Sequence, residues 1–198
     1  MHNIIKAYQK RRSIYALGNK ISIPNQDIEK IIEECILQAP SAFNSQGSRV
    51  VLLLGDEHKK LWELVLTELA QIIPTEKFTA TEIKIASFAA GHGTVLFFED
   101  ASVIKNLQEQ YPLYKDALPT YSCQSSGMLQ YMIWTALSSV DIGASLQHYN
   151  PIIDEIVKKQ WMLPQSWQLM SQMPFGKIEK FAADKEFLPL KNRFKIFK

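Results

Sequence analysis

Two short apolar runs, Val50–Leu54 and Thr94–Phe98, constrain this chain more than any other feature. Neither alternates apolar with polar residues, and Gly55-Asp56 closes the first. Such runs read as strands buried on both faces, which need an apolar layer above and below. The surrounding sequence supplies helices for those layers. Ile28, Ile31, Ile32, Cys35, Ile36 and Ala39 form one stripe, with Pro24 in its first turn, Asp27 and Glu29 near its start and Pro40 as its stop. Leu61–Ile73 and Glu76–Ala90 read as two more helices, the second ended by Gly91 and Gly93. Tyr121–Val140 is the longest candidate, with Met128, Leu129, Met132, Ile133, Ala136, Leu137 and Val140 at helical spacing. A short helix over His2–Arg12 precedes them all, and Ala144–Gln147 and Trp167–Met173 read as third and fourth strands. A few strands among many helices predict an α+β, three-layer fold, a small mixed or antiparallel sheet flanked by helices, in place of a sandwich or a bundle.

The 198 residues suit one domain over 1–198 with a sizeable core. With a net charge of +2 and no long Lys/Arg run, the sequence makes no electrostatic case for nucleic acid or an anionic membrane. MHNIIKAYQKRRS lacks the apolar stretch of a secretory signal, and no window approaches a membrane span. Cys35 and Cys123 lie far apart, outside any CxxC pattern, and read as free, mostly buried thiols of a reducing cytoplasm.

Neither GxGxxG nor a P-loop occurs. His2, His58, His92 and His148 are scattered without HExxH or a Cys/His cluster, so a metal site has little support. No GxSxG elbow accompanies the serines. Without a side-chain constellation for difficult chemistry, activity is expected to depend on a cofactor.

Four segments could hold one. Arg11-Arg12-Ser13 offers fixed donors for a phosphate or a carbonyl edge, or is simply a solvated basic face. Ser41, Asn44 and Gln46, between a helix and a strand, can cap backbone groups or pair with the N–C=O edge of a heterocycle. Lys191-Asn192-Arg193 reads by default as solvated tail charge. Gly143–Pro151 brackets a short extended segment, in its plainest reading a strand between turns. His148, Lys84 and the four tryptophans read as structural, solvent-facing and core or interface residues respectively.

Taken together and in order, "RRSIYALG", "APSAFNSQGSRVVLLLGDEHKKLW", "GTVLFFED" and "GASLQHYNP" resemble the nitroreductase family of FMN flavoproteins. Within it they are similar to the branch of the yeast fatty-acid-repression-mutant protein and the small bacterial copper-induced nitroreductases. The resemblance implies an intertwined homodimer with FMN at the subunit interface. It gives Arg11, Arg12 and Ser13 the phosphate and ring edge, and Lys191 and Arg193 a second pair of charges for the phosphate. Ser41, Asn44 and Gln46 approach the isoalloxazine, in part from the opposite subunit; Ala42 stands where many relatives have a second Ser. Ser145, Leu146 and Gln147 supply backbone groups near flavin N5 and O4, although Gln147-His148 replaces a frequent Glu-Gly. No side chain is implied as acid or base. The implied reaction is ping-pong: NADH or NADPH delivers a hydride and leaves, and a nitroaromatic or quinone is then reduced on the same face. A redox or lipid-stress sensor with little turnover is the alternative, and a dimeric protein that has lost its cofactor is a third reading.

Overall fold

The computed structural model describes residues 3–198. In chain order its first half contains α1 (Asn3–Lys10), β1 (Leu17–Gly18), α2 (Asn25–Gln38), β2 (Ser48–Leu54), α3 (Gly55–Ala70) and α4 (Thr75–Ala89). The second half contains β3 (Gly93–Asp100), α5 (Ala101–Gln110), α6 (Leu118–Ser139), β4 (Ile142–Ala144), α7 (Asp154–Gln160) and β5 (Trp167–Ile178). The expected first helix is present as α1; its proposed start at His2 lies outside the described residues.

Every residue of β3 is buried, and its pleat divides the core in two. Val95 and Phe97 pack with Ile28 and Ile32 of α2 and with Leu129, Ile133 and Leu137 of α6. Leu96 and Phe98 pack on the other face with Leu61, Trp62 and Val65 of α3, Phe88 of α4 and Val157 of α7. This is the helix–sheet–helix stack implied by an unbroken apolar strand. The strand pairs β2–β3, β3–β5, β4–β5 and β1–β5 are all antiparallel, in the order β1-β5-β3-β2 with β4 against β5. Among the described residues, the one parallel element is an isolated bridge from Ser13 to Ala144.

Several expectations need correction. The β2 run was expected to be buried on both faces like β3, yet only Leu53 is fully buried. Its side chains do reach both cores, but it ends the sheet, so one backbone edge has no neighbouring strand among the described residues. The third strand lies at Ile142–Ala144, ahead of the expected Ala144–Gln147; Gln147 keeps only a bridge to Gln172. Gly143 lets the strand pack this closely, because a Cβ there would stand 2.8 Å from Ile178 and 2.9 Å from Ile14. Helices α5 and α7 had no counterpart in the reading. Ile36 and Met128, placed on apolar stripes, are exposed, and so is Cys123; both thiols are free and only Cys35 is buried. Among the described residues, no helix is long and apolar enough to cross a membrane.

Beyond Lys180 the chain forms no further strand, only a single 3-10 turn at Leu190–Asn192. Phe187, Leu188, Leu190, Phe194, Ile196 and Phe197 along it are all exposed.

Candidate functional site

The segment leaving α1 is fixed where it crosses β4. Ile14 N–H donates to the Ala144 carbonyl at 2.9 Å, and Trp134 Nε1 of α6 donates to the same oxygen at 3.1 Å. The Trp134 ring then lies under Arg11, whose guanidinium carbon is 4.3 Å from the ring centroid and 5.6 Å from that of Tyr131. Cation–π contact holds the guanidinium plane against α6. Arg11 Nε is buried without a hydrogen-bond partner. Arg12 turns the other way, its Nη2 donating to the Ala183 carbonyl at 2.6 Å.

Arg11, Arg12 and Ser13 share a cavity of about 550 Å3 with residues 180–185. That volume falls within the roughly 300–1,000 Å3 of small-molecule sites. Lys180 and Lys185 add positive charge, against Asp184 alone on the negative side. The lining favours an anion with an apolar body.

Ser145 follows directly on Ala144, so the fourth candidate segment, Gly143–Pro151, meets the first at β4. Ser145 N–H donates to the Pro174 carbonyl at 3.3 Å, and Gln147 exchanges two backbone bonds with Gln172, at 2.7 and 2.9 Å. Gln147 Nε2 donates to Ser145 Oγ at 3.0 Å. Leu146 faces the opposite way, and its own N–H and carbonyl take no part in these bonds. His148, read as a hydrogen-bonded structural residue, is exposed, and Lys84 faces solvent as expected.

The second segment occupies a separate place between α2 and β2. Ser41 Oγ accepts from Gln46 N–H at 2.9 Å, and Gln46 Nε2 donates to the Asn44 carbonyl at 3.3 Å. Phe43, Asn44 and Gln46 have φ of 56°, 51° and 49°, left-handed backbone that is uncommon outside glycine. A cavity of about 330 Å3 opens beside Ser41, Gln46 and Arg49. Lys191 and Arg193 stand on the exposed tail, where Arg193 Nη2 donates to its own Leu188 carbonyl at 3.4 Å. One chain therefore brings Arg11–Ser13 and Ser145–Gln147 together, and presents Ser41–Gln46 and the tail charges apart from them.

Sequence reasoning missed what frames the Ser41–Gln46 loop. Glu99, 3% exposed, accepts from Ser48 Oγ and Ser122 Oγ. Burial pushes its carboxyl above the ordinary range, while Ser122, Ser48 and Arg49 oppose that rise. Burial also works against ionised Asp100, but Ser102, Ser166 and Arg49 outweigh it and hold that carboxyl low. The available signal was an acidic pair at the end of an otherwise apolar strand.

Layered helices on a small antiparallel sheet, with a cationic cavity between the segment leaving α1 and residues 180–185, define an α+β protein without a nucleotide-binding glycine loop. The Nitroreductase family model matches residues 8–177. Nitroreductase FRM2 of Saccharomyces cerevisiae is 31% identical over 188 residues, 94% of this chain and 93% of that protein. Nitroreductase CinD from Lactococcus lactis, solved in complex with chloramphenicol, superposes with a TM-score of 0.92 at 44% identity, over 99% of this chain and 100% of that one. Its complex with 4-nitrophenol gives 0.91 at 45% identity with the same coverage. A nitroreductase with bound FMN from Desulfitobacterium hafniense shares the fold at a TM-score of 0.72 and 18% identity, covering all of both chains. This chain belongs to the nitroreductase family, a family of oxidoreductases.

Proposed function

We propose that this protein is an FMN-dependent oxidoreductase that takes hydride from NADH or NADPH and reduces nitroaromatics or quinones in a ping-pong scheme, as a homodimer with FMN at the subunit interface. The observation that carries the proposal is the cationic cavity at Arg11, Arg12 and Ser13, in a chain whose fold matches CinD throughout. Its donor set fits FMN: guanidinium groups and a hydroxyl for the phosphate, and an unpartnered buried Arg11 Nε at the edge. CinD supports the acceptor class, since 4-nitrophenol is a flat nitroaromatic.

Bound FMN would supply two-electron hydride chemistry at N5; the residues position and polarise. Arg11, Arg12 and Ser13 hold the phosphate and ring edge, with Lys191 and Arg193 arriving on the tail of the second subunit. Ser41, Asn44 and Gln46 address the polar edge of the ring, and the backbone of Ser145, Leu146 and Gln147 lies along it. The polar side chains of Ser145 and Gln147 bond to each other, which leaves Leu146 to offer a main-chain group.

The purified protein tests this directly. It should be yellow or take up FMN, bind FMN more tightly than riboflavin, and be bleached by NADH or NADPH and restored by 4-nitrophenol or a quinone. Equal affinity for FMN and riboflavin would remove the phosphate assignment. Bleaching only by dithionite would replace the enzyme with a sensor, and a colourless protein that rejects FMN would end the proposal.

A further inference from the structure

The Ser41–Gln46 loop does not hold its shape unaided. Three of its residues, none of them glycine, sit in the left-handed region, where Cβ crowds the backbone. Such residues persist when their surroundings over-determine them, and they concentrate where a protein must present groups in a fixed geometry. The bonds inside the loop fold the Gln46 amide back on the chain but attach it to nothing else.

The external grips come from β2, from the end of β3 and from the turn that follows α5. Arg49 Nη1 donates to the Gln46 carbonyl at 2.7 Å, and its Nη2 pairs with Asp100 at 3.2 Å. Asp100 N–H donates to the Gly47 carbonyl at 3.0 Å. The Phe43 ring stacks on Tyr111 at 4.3 Å and 15°, with Tyr114 edge-on at 5.7 Å. Glu99 bonds the exit of the loop to α6. Its carboxylate accepts from Ser48, at the loop's exit into β2, and from Ser122 in the first turns of α6. The fit is close, because a Cβ on Gly47 would come within 3.3 Å of Glu99 Oε2. The charged groups beside it are Arg49 on β2 and Asp100 on β3. A buried carboxylate is a costly way to fill a core position, and a neutral apolar residue would pack there at less expense.

We infer that Glu99 is a positioning residue for the FMN reaction: by bridging Ser48 and Ser122 it holds the Ser41–Gln46 loop in the shape that presents Asn44 and Gln46 to the flavin ring. The inference rests on the FMN reading above. Glu99 is buried behind the loop and would act through it. It transmits the position of α6 to the loop, so the polarity felt by the ring depends on a side chain behind it.

The test uses the full chain as wild type, Glu99→Ala, Glu99→Gln and Ser122→Ala. Amide exchange over residues 41–48 is followed in the FMN-free protein. FMN affinity, the visible flavin spectrum and the flavin midpoint potential are measured after loading. Glu99→Ala should speed exchange in the loop, weaken FMN by about tenfold or more and shift the flavin band and potential. Glu99→Gln, which can accept from one serine and donate to the other, should recover part of each change. Faster exchange or lower thermal stability with unaltered flavin spectrum, potential and affinity would reduce Glu99 to a structural residue and overturn the inference. If Glu99→Ala does not fold, Ser122→Ala, which leaves the loop and the carboxylate in place, must itself shift spectrum and potential, or the inference fails. Wild-type protein that refuses FMN would instead overturn the functional reading on which the inference stands.

Discussion

His58 is a neutral imidazole sealed between α3 and β3. Trp62 Nε1 donates to Thr94 Oγ1 at 3.1 Å, so the Thr94 hydroxyl is free to donate to His58 Nδ1, 2.8 Å away. The remaining ring N–H then points at the Ala89 carbonyl, 3.3 Å from Nε2. Burial pushes the pKa down from 6.5 to about 4, against a smaller upward pull from the Ala89 carbonyl. Between those values the unfolded chain binds a proton that the folded chain refuses. Stability contributed here is complete above pH 6.5 and falls as the pH drops towards 4, by about 3 kcal/mol in all. Urea unfolding at pH 7 and pH 4.5 should show this loss in the wild type and much less of it in His58→Gln. Equal losses in the two proteins would assign the acid sensitivity to other groups.

At the scale of elements, the pairing of β1 with β5 depends on having no side chain at Gly176. A Cβ there would meet the Gly18 carbonyl oxygen at 2.3 Å and the His92 nitrogen at 3.0 Å, both backbone atoms with little room to retreat. Gly176→Ala should cost about 2–3 kcal/mol in thermal or chemical unfolding. A variant as stable as the wild type would mean that β1 yields freely. This pairing was illegible in the sequence, because β1 is a two-residue strand with no periodicity to detect. The Thr94–Phe98 run was legible because β3 is buried along its whole length, α2 and α4 because stop signals end them, and α6 because its apolar spacing is long. Helix α5 was not, since it buries no residue and is marked chiefly by Asp100, whose carboxylate accepts from the Ser102 N–H. Arg11, Arg12, Ser13, Ser145 and Gln147 could be named one segment at a time, but their meeting at Ala144 is a tertiary fact. Left-handed backbone at Phe43 had no signal at all, since nothing in a phenylalanine announces positive φ.

At the scale of the molecule, two features have the same remedy. β2 leaves one backbone edge without a neighbouring strand, and the tail past Phe187 leaves large apolar residues in water. A second copy of the chain can cover both, and we expect the tail to cross onto it. Truncation after Leu188 should abolish dimerisation in light scattering and remove FMN binding, because Lys191 and Arg193 leave with the arm. A truncated chain that stays dimeric and binds FMN as tightly as the full protein would refute the crossing. The burial of β3 has its own consequence during synthesis. β3 can pair with β2 as soon as it leaves the ribosome, but its other neighbour, β5, is made only after α5, α6, β4 and α7. In that interval Gly93–Phe98 is an uncharged, β-prone segment of the kind that seeds aggregates. Glu99 and Asp100, directly after it, place two carboxylates where they discourage neighbouring copies from stacking. The acidic pair that frames the loop in the finished protein thus also guards the strand while the protein is being made.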